Sequence, residues 1–383
     1  MRLIPYGKQW VDAADIKAVV DVLKSDYLTQ GPVVKNFEEK ICRITGAKYC
    51  IAVANGTAAL HIAVASLGIG KNKEGITSPN TFLASANCLV YNNIKPVFSD
   101  IDPKTYNITA ENIKKQISSK TKIVIPVHFA GQACDMSSIK KVADDKGLYV
   151  IEDAAHAIGS KYTDGTMVGN CKYSDMTVFS FHPVKTITTG EGGAITTNIE
   201  KLYKKLLILR NHGIVKDEAL FAENSAPWYY EMQYLGFNYR ITDIQSALGM
   251  SQLNKLNYFV QRRRDVVKKY NKAFKNVDWL ITPYEKNPDK SAFHLYVVNI
   301  DFEKLCSTRK EVMKKLQKDG IMTQVHYIPV HTQPYYKNNF GYDWGDYPVS
   351  ENYYKKALSL PLYPKMSNED VDRVVKAVKG LNA

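Results

Sequence analysis

Apolar residues recur every three or four positions between Asp12 and Lys24, where Ile16, Val19, Val20 and Leu23 share one face of a predicted helix. The spacing returns in Val33–Ile44 around Val34, Phe37 and Ile41, after the loop Leu28-Thr29-Gln30-Gly31-Pro32. Then the period shortens. Tyr49–Ala54 is an apolar run closed by Asn55-Gly56-Thr57, and Ala58–Leu67 resumes helical spacing, so strand, turn and helix are expected in that order. The alternation continues with strands at Ile76–Ser78, Lys95–Ser99, Lys122–Val127 and Leu148–Ile151, the last running into Glu152-Asp153. Helices are expected at Phe82–Tyr91 and Ser137–Lys146. Strands that are apolar along their length and separated by helices predict a mainly parallel α/β sheet covered on both faces. Ligands of such sheets gather at the carboxyl ends of the strands, where Asp153 and the residues after Ala54 and Phe181 fall.

Met176–Phe181 is a further β-rich run, and Pro183, with no N–H for a ladder, should end it. Lys185 follows in a segment free of charge until Glu191, which Gly190, Gly192 and Gly193 bracket. Lys201–Arg210 reads as a charged amphipathic helix, residues 213–235 as an irregular loop, and Thr242–Leu256 as a helix. Beyond about residue 255 lysine-rich helices (Arg262–Phe274, Thr308–Lys318) and short strands (His294–Ile300, Met322–Val325) predict a smaller α+β domain. The division expected is 1–250 for a large α/β domain and 251–383 for the small one, consistent with 383 residues being too many for one core.

Composition narrows the partners. Net charge is +13, but the lysines are dispersed along helix faces and only Arg262-Arg263-Arg264 is a tight basic run. The excess favours anionic partners; without a nucleic-acid-binding motif, small anions are expected rather than nucleic acid. The six cysteines form no C-x-x-C pair, which fits reduced thiols and neither a disulfide framework nor a metal site. No apolar run is long enough for a bilayer and the N-terminus turns polar early, so a cytoplasmic protein without membrane contact is expected.

A lysine in a charge-poor strand end invites Schiff-base chemistry, to a substrate or to pyridoxal 5′-phosphate. To attack, the amine must be neutral, and lowering its pKa by about three units takes roughly 4 kcal/mol of environmental bias. The cofactor has further needs that the chain can meet. Asp153 could hold the ring nitrogen protonated, Gly56-Thr57-Ala58 and Ser180 could bind the phosphate, and Phe82 could pack on the ring. Alone, Asp153 reads equally well as a helix cap, and Phe82, Ser180 and His156 as ordinary core residues. Their joint occurrence favours the cofactor.

The chain resembles the DegT/StrS family of sugar-nucleotide aminotransferases, of the aspartate-aminotransferase fold (fold type I), nearly end to end. The resemblance lies in Tyr27–Pro32, Asn55–Leu60, Pro79–Asn87, Glu152–Ala157, Ser180-Phe181-His182-Pro183-Val184-Lys185 and Gly190–Ala194. It continues in Asn211-His212-Gly213, Gly236-Phe237-Asn238-Tyr239-Arg240 and Val325–His331. It implies that Lys185 forms the Schiff base with the cofactor and then shuttles a proton, that Asp153 pairs with the pyridinium and that His156 sits near the 3-hydroxyl. It further implies phosphate contacts from Ser180, Thr57 and Ala58, ring stacking by Phe82, and a homodimer in which Asn238 reaches the partner subunit's phosphate. Substrate contacts are implied for Tyr6, Leu28, Thr29, His326, Tyr327 and His331. The finer resemblance, through His-Pro-Val-Lys followed by Ile-Thr-Thr and Glu-Gly-Gly, is to the branch serving pseudaminic acid biosynthesis. That implies L-glutamate as donor and a UDP-linked 4-keto-6-deoxy-N-acetyl-altrosamine as acceptor, while related enzymes aminate other UDP-, dTDP- or GDP-linked keto-sugars. Lys185 argues against a pyridoxamine-phosphate-dependent sugar dehydratase of the same fold, in which histidine replaces the lysine. The presence of both Lys185 and Asp153 argues against a binding module that has lost its chemistry.

Overall fold

A computed structural model describes residues 2–215, 221 and 226–382. The chain begins with helices α1 (Ala13–Leu23) and α2 (Pro32–Thr45), then β1 (Tyr49–Val53), α3 (Gly56–Ser66), β2 (Glu74–Thr77), α4 (Ala84–Tyr91), β3 (Lys95–Phe98) and α5 (Ala110–Gln116). Next come β4 (Thr121–Ile125), α6 (Met136–Lys146), β5 (Tyr149–Asp153), β6 (Met176–Ser180), β7 (Gly193–Thr197) and α7 (Glu200–Arg210). The paired short strands β8 (Ile214–Val215) and β9 (Glu231–Met232) precede α8 (Asp243–Asn254) and α9 (Leu256–Phe274). The remainder comprises β10 (Leu280–Ile281), β11 (Tyr296–Ile300), α10 (Arg309–Lys318), α11 (Pro334–Phe340), α12 (Pro348–Lys356), β12 (Ala357–Leu360) and α13 (Asn368–Lys379).

Seven strands form one sheet in the order β1-β7-β6-β5-β4-β2-β3. All neighbours are parallel except β7, which is antiparallel to both β1 and β6. The two-residue period of a strand divides the core. On β1, Ile51 and Val53 face α3, α4 and α7, whereas Cys50 and Ala52 face the opposite cluster built on α2, α6 and α9. Buried on both faces, these strands had to be apolar throughout, which is why they were legible. A separate cluster joins the second half of α9 to β11, β12, α10 and α13, and Ile4 packs into it.

Two expectations are corrected. The predicted apolar face of α1 is largely turned outward, with Ile16 59 % and Leu23 54 % exposed, while Asp15 and Val22 are buried. Asp15 is drawn inward by the Gln252 amide (2.7 Å) and the Lys255 ammonium (2.5 Å). Met322–Val325 is no strand: within it only Gln324 bridges β12, at Ser359, before the chain turns into the wall of the cleft. Helices α5, α11, α12 and α13 and strands β7, β10 and β12 were not expected, and the stretch 213–235 expected as a loop holds the paired strands β8 and β9.

Candidate active site

A cleft of about 700 Å³ opens at the carboxyl end of the sheet, lined by residues that follow β1, β2, β4, β5 and β6. Asn55 caps α3, its side chain accepting from Ala58 N–H at 2.8 Å. The first-turn N–H groups of a helix have no intrahelical acceptor, so Gly56 and Thr57 bring free donors and a positive helix end to the cleft. Gly56 must be glycine here, since a Cβ would lie 2.9 Å from Cβ of Ser180. Among the described residues the Thr57 and Ser180 hydroxyls have no protein hydrogen-bond partner, though both line the cleft. This corner is built for an anion.

Adjacent acids on β5 take opposite faces. Glu152 is sealed in the core, where Oε2 accepts from His128 Nε2 and Tyr162 Oη (both 2.7 Å) and Oε1 from Ser174 (2.5 Å) and Thr177 (2.9 Å). The His128 Nδ1 accepts from Cys134 N–H (3.1 Å), which puts the ring proton on Nε2. Burial pushes Glu152 toward protonation, but the donated hydrogen bonds win and hold it below the usual carboxylate range. Asp153 faces the cleft. Ser85 Oγ of α4 donates to its Oδ2 at 2.5 Å and Ala155 N–H to its Oδ1 at 3.1 Å, so the carboxylate is held from two sides.

Lys185 sits in the loop joining β6 to β7. That loop is pinned by Phe181 O, which accepts from Thr188 Oγ1 and Thr189 N–H, both at 3.0 Å, and by Lys185 N–H on His182 O (2.9 Å). Burial pushes the Lys185 ammonium down to about 8, against the opposing pull of Asp153. The two groups thus share one cleft and feel one another electrostatically.

On the facing wall, His156 Nδ1 accepts from Ala130 N–H (3.3 Å), so its Nε2–H points to Tyr327 Oη at 3.1 Å. Burial, reinforced by Lys185, holds His156 well below the usual histidine range. His326 bonds Ser359 through Nδ1 (2.7 Å) and packs on Tyr6, their ring centroids 5.5 Å apart. Burial and then Lys185 bring it down to about 3. Phe82, 58 % exposed, stands at the mouth as an aromatic face without a full partner.

Of the expected site residues, Tyr6, Gly56, Thr57, Ala58, Phe82, Asp153, His156, Ser180, Lys185, His326 and Tyr327 all line this cleft. Leu28, Thr29, Asn238 and His331 do not. Leu28 is exposed, with its carbonyl on Asp243 N–H, and Thr29 bridges Thr242. Asn238 bridges Asn211, and its neighbour Tyr239 reaches the cleft instead. His331 is fully buried against Glu351 (3.1 Å) and the ring of Tyr347. Ser85, Asn55 and His294 were missed; only an Asn before a Gly-Thr helix start signalled any of them.

The donor set fits pyridoxal phosphate: an unsatisfied anion corner, a half-buried lysine whose ammonium is depressed, a carboxylate anchored from behind and an uncovered aromatic ring. Residues 9–379 match the family described as DegT/DnrJ/EryC1/StrS aminotransferases. The chain is 42 % identical over 381 residues to the spore coat polysaccharide biosynthesis protein SpsC of Bacillus subtilis, covering 99 % of this chain and 97 % of that one. Among solved structures it is similar to PseC of Helicobacter pylori, an aminotransferase involved in the biosynthesis of pseudoaminic acid (TM-score 0.92, 32 % identity, 99 % of both chains). It is also similar to the putative sugar aminotransferase Spr1654 of Streptococcus pneumoniae in its PLP form (TM-score 0.90, 30 % identity, 99 % and 98 % covered) and its PMP form (TM-score 0.91). Among the described residues no helix is long and apolar enough to cross a membrane.

Proposed function

The chain belongs to the DegT/DnrJ/EryC1/StrS aminotransferase family and is a pyridoxal-phosphate-dependent aminotransferase of the α/β, mainly parallel fold; from that premise we propose that it moves an amino group from L-glutamate to a nucleotide-linked 4-keto-6-deoxy sugar. The observation that carries the reading is the single cleft that gathers Lys185, Asp153 and the anion corner with room left over. When bound, the cofactor supplies an aldehyde for amines and an electron-poor ring that stabilises negative charge at the adjacent carbon. Lys185 would anchor that aldehyde and, once released, carry a proton to and from the donor carbon. Asp153 would keep a proton on the ring nitrogen, and His156, neutral with Nε2–H fixed, would orient the opposite edge of the ring. The N–H groups of Gly56, Thr57 and Ala58 with the hydroxyls of Thr57 and Ser180 would hold the phosphate, and Phe82 would cover the ring. Tyr6, His326 and Tyr327 would form the sugar wall. His331, sealed on Glu351, is given no substrate role.

Likeness to PseC favours the UDP-linked 4-keto-6-deoxy-N-acetyl-altrosamine of pseudaminic acid biosynthesis as acceptor. The higher identity to SpsC favours a second reading, in which a different keto-sugar serves a surface polysaccharide. A homodimer with shared sites would explain why Leu28, Thr29 and Asn238 lie outside their own cleft. It would also cover the exposed apolar stripe of Ile16, Val20, Leu23 and Tyr27 and the exposed Trp228 and Leu235. UDP-, dTDP- and GDP-linked 4-keto-sugars assayed with L-glutamate should single out a UDP sugar, and light scattering on the same preparation should weigh two chains. Turnover of none of them, or a fully active monomer, would overturn the corresponding part of the proposal.

The position of Lys185 also sets a pH dependence. An amine with a pKa near 8 is protonated and inert below that value and free above it. The rate at which stripped protein takes up pyridoxal phosphate covalently should therefore rise with pH with a midpoint near 8. An ordinary lysine would keep gaining until about 10.4, so a rate still climbing steeply beyond pH 9.5 would contradict the buried environment.

A further inference from the structure

His294 enters the cleft two residues before β11, and the backbone around it is tightly held. Ser160 Oγ donates to Gly131 O (2.6 Å) and accepts from Ala292 N–H (3.0 Å), tying that segment to the loop after β4. Gly131, at φ +96°, permits an approach in which any Cβ would stand 3.0 Å from His156 O and from the nitrogens of Phe293 and His294. Phe293 itself adopts φ +47°, a conformation costly for a residue with a side chain and maintained only where surroundings demand it. The result is an imidazole whose centroid lies 4.4 Å from that of His156.

Its Nδ1 is buried with no partner. A sealed lone pair is tolerated more readily than a sealed N–H, so the ring proton belongs on Nε2, the nitrogen left for the cleft. Of the other imidazoles lining the cleft, His156 is committed through both nitrogens and His326 through Nδ1, while His182 is solvent-exposed. Among the described residues the cleft is lined by no arginine, and Lys185 is its one lysine. Behind His294, however, lies the fully buried Arg263 guanidinium, bonded to the carbonyls of Phe293 (3.4 Å), His294 (3.1 Å) and Leu362 (2.9 Å). Among the described residues no carboxylate stands within ion-pair distance of it, so only backbone carbonyls offset its charge at this wall.

We infer that His294 holds the α-carboxylate of the amino-acid donor through Nε2–H, with Arg263 supplying the positive field behind it. A neutral donor backed by a buried cation binds a carboxylate without placing a second mobile charge beside Lys185. The inference rests on the aminotransferase reading and adds a residue to the donor's site.

The test is the half-reaction with L-glutamate, or with L-glutamine or L-alanine if the wild-type enzyme prefers one of them, followed as loss of the cofactor's near-visible band. His294→Ala should weaken the apparent donor affinity at least tenfold while the limiting rate stays within threefold. His294→Gln, which keeps an N–H at the position of Nε2, should recover most of the loss. Calorimetry of the corresponding 2-oxo acid on the pyridoxamine-phosphate form should show the same tenfold weakening. His294→Leu replaces the alanine variant should that chain not fold. Unchanged donor affinity in both measurements would overturn the inference, as would a fall in limiting rate alone, which would make His294 a support for His156. Failure of L-glutamate in the wild-type enzyme would instead count against glutamate as donor, with the His294 comparison run on the amino acid accepted.

Discussion

Lys185→Ala is expected to lower transamination by about four orders of magnitude or more, since it removes the anchoring amine and the proton carrier at once. The environment explains why no neighbour can substitute. Among the described residues Lys185 is the one lysine lining the cleft, and burial brings its ammonium down to about 8. His156, His294 and His326, the cleft imidazoles that feel Lys185, are held too far below neutrality to collect a proton efficiently. The check has two parts. Glutamate turnover measured as 2-oxoglutarate release should vanish into the background. Borohydride treatment followed by mass spectrometry should attach the cofactor to Lys185 of the wild-type chain and to no residue of the variant. Retained turnover, or labelling at another lysine, would displace Lys185 from its assigned role.

Asp153→Asn should come second, lowering the single-turnover rate with glutamate by about three orders of magnitude. Opposite unit charges about 4 Å apart at an effective dielectric constant near 20 interact by about 4 kcal/mol, which is that factor in rate. The substitution keeps shape: its Oδ1 can still accept from Ala155 N–H while its Nδ2 donates to Ser85 Oγ, whose own proton can turn to Thr81 or Phe82, so folding should survive and the loss should reside in the charge. Cofactor retention after dialysis, compared with the wild-type chain, separates a binding loss from a rate loss. A variant that binds the cofactor normally and turns over within tenfold of wild type would rule out the ring-nitrogen role.

Much of this was visible in the chain because burial on both faces leaves a strand no polar positions, and the central strands announce themselves. The cleft residues that follow them were legible for a related reason: chemistry placed at strand ends stands in short stretches whose residue types are individually unusual. What escaped obeys no local rule. Strand β7 is the Gly-Ala-Ile-Thr-Thr run whose pairing with β1 spans 140 to 148 residues. Helix α5 buries only Ile113 among its seven residues, too little for a period to show. The stripe on α1 misled because an apolar face was taken for an inward one, whereas Asp15 is the residue that its partners draw in. His294 was invisible since its significance is an unmet hydrogen-bonding valence, a property of three-dimensional surroundings alone.

The opposed orientations of Glu152 and Asp153 carry a wider consequence. Sliding a strand by one residue turns every side chain to the other face. Such a slip of β5 would bury the working acid and present its silent neighbour to the coenzyme. The four donors gripping Glu152 therefore act as a detent that keeps this strand in its notch, and they do so from the side of the sheet away from any ligand. A lengthening or shortening of the chain between α6 and Asp153 should therefore silence the enzyme without touching a substrate.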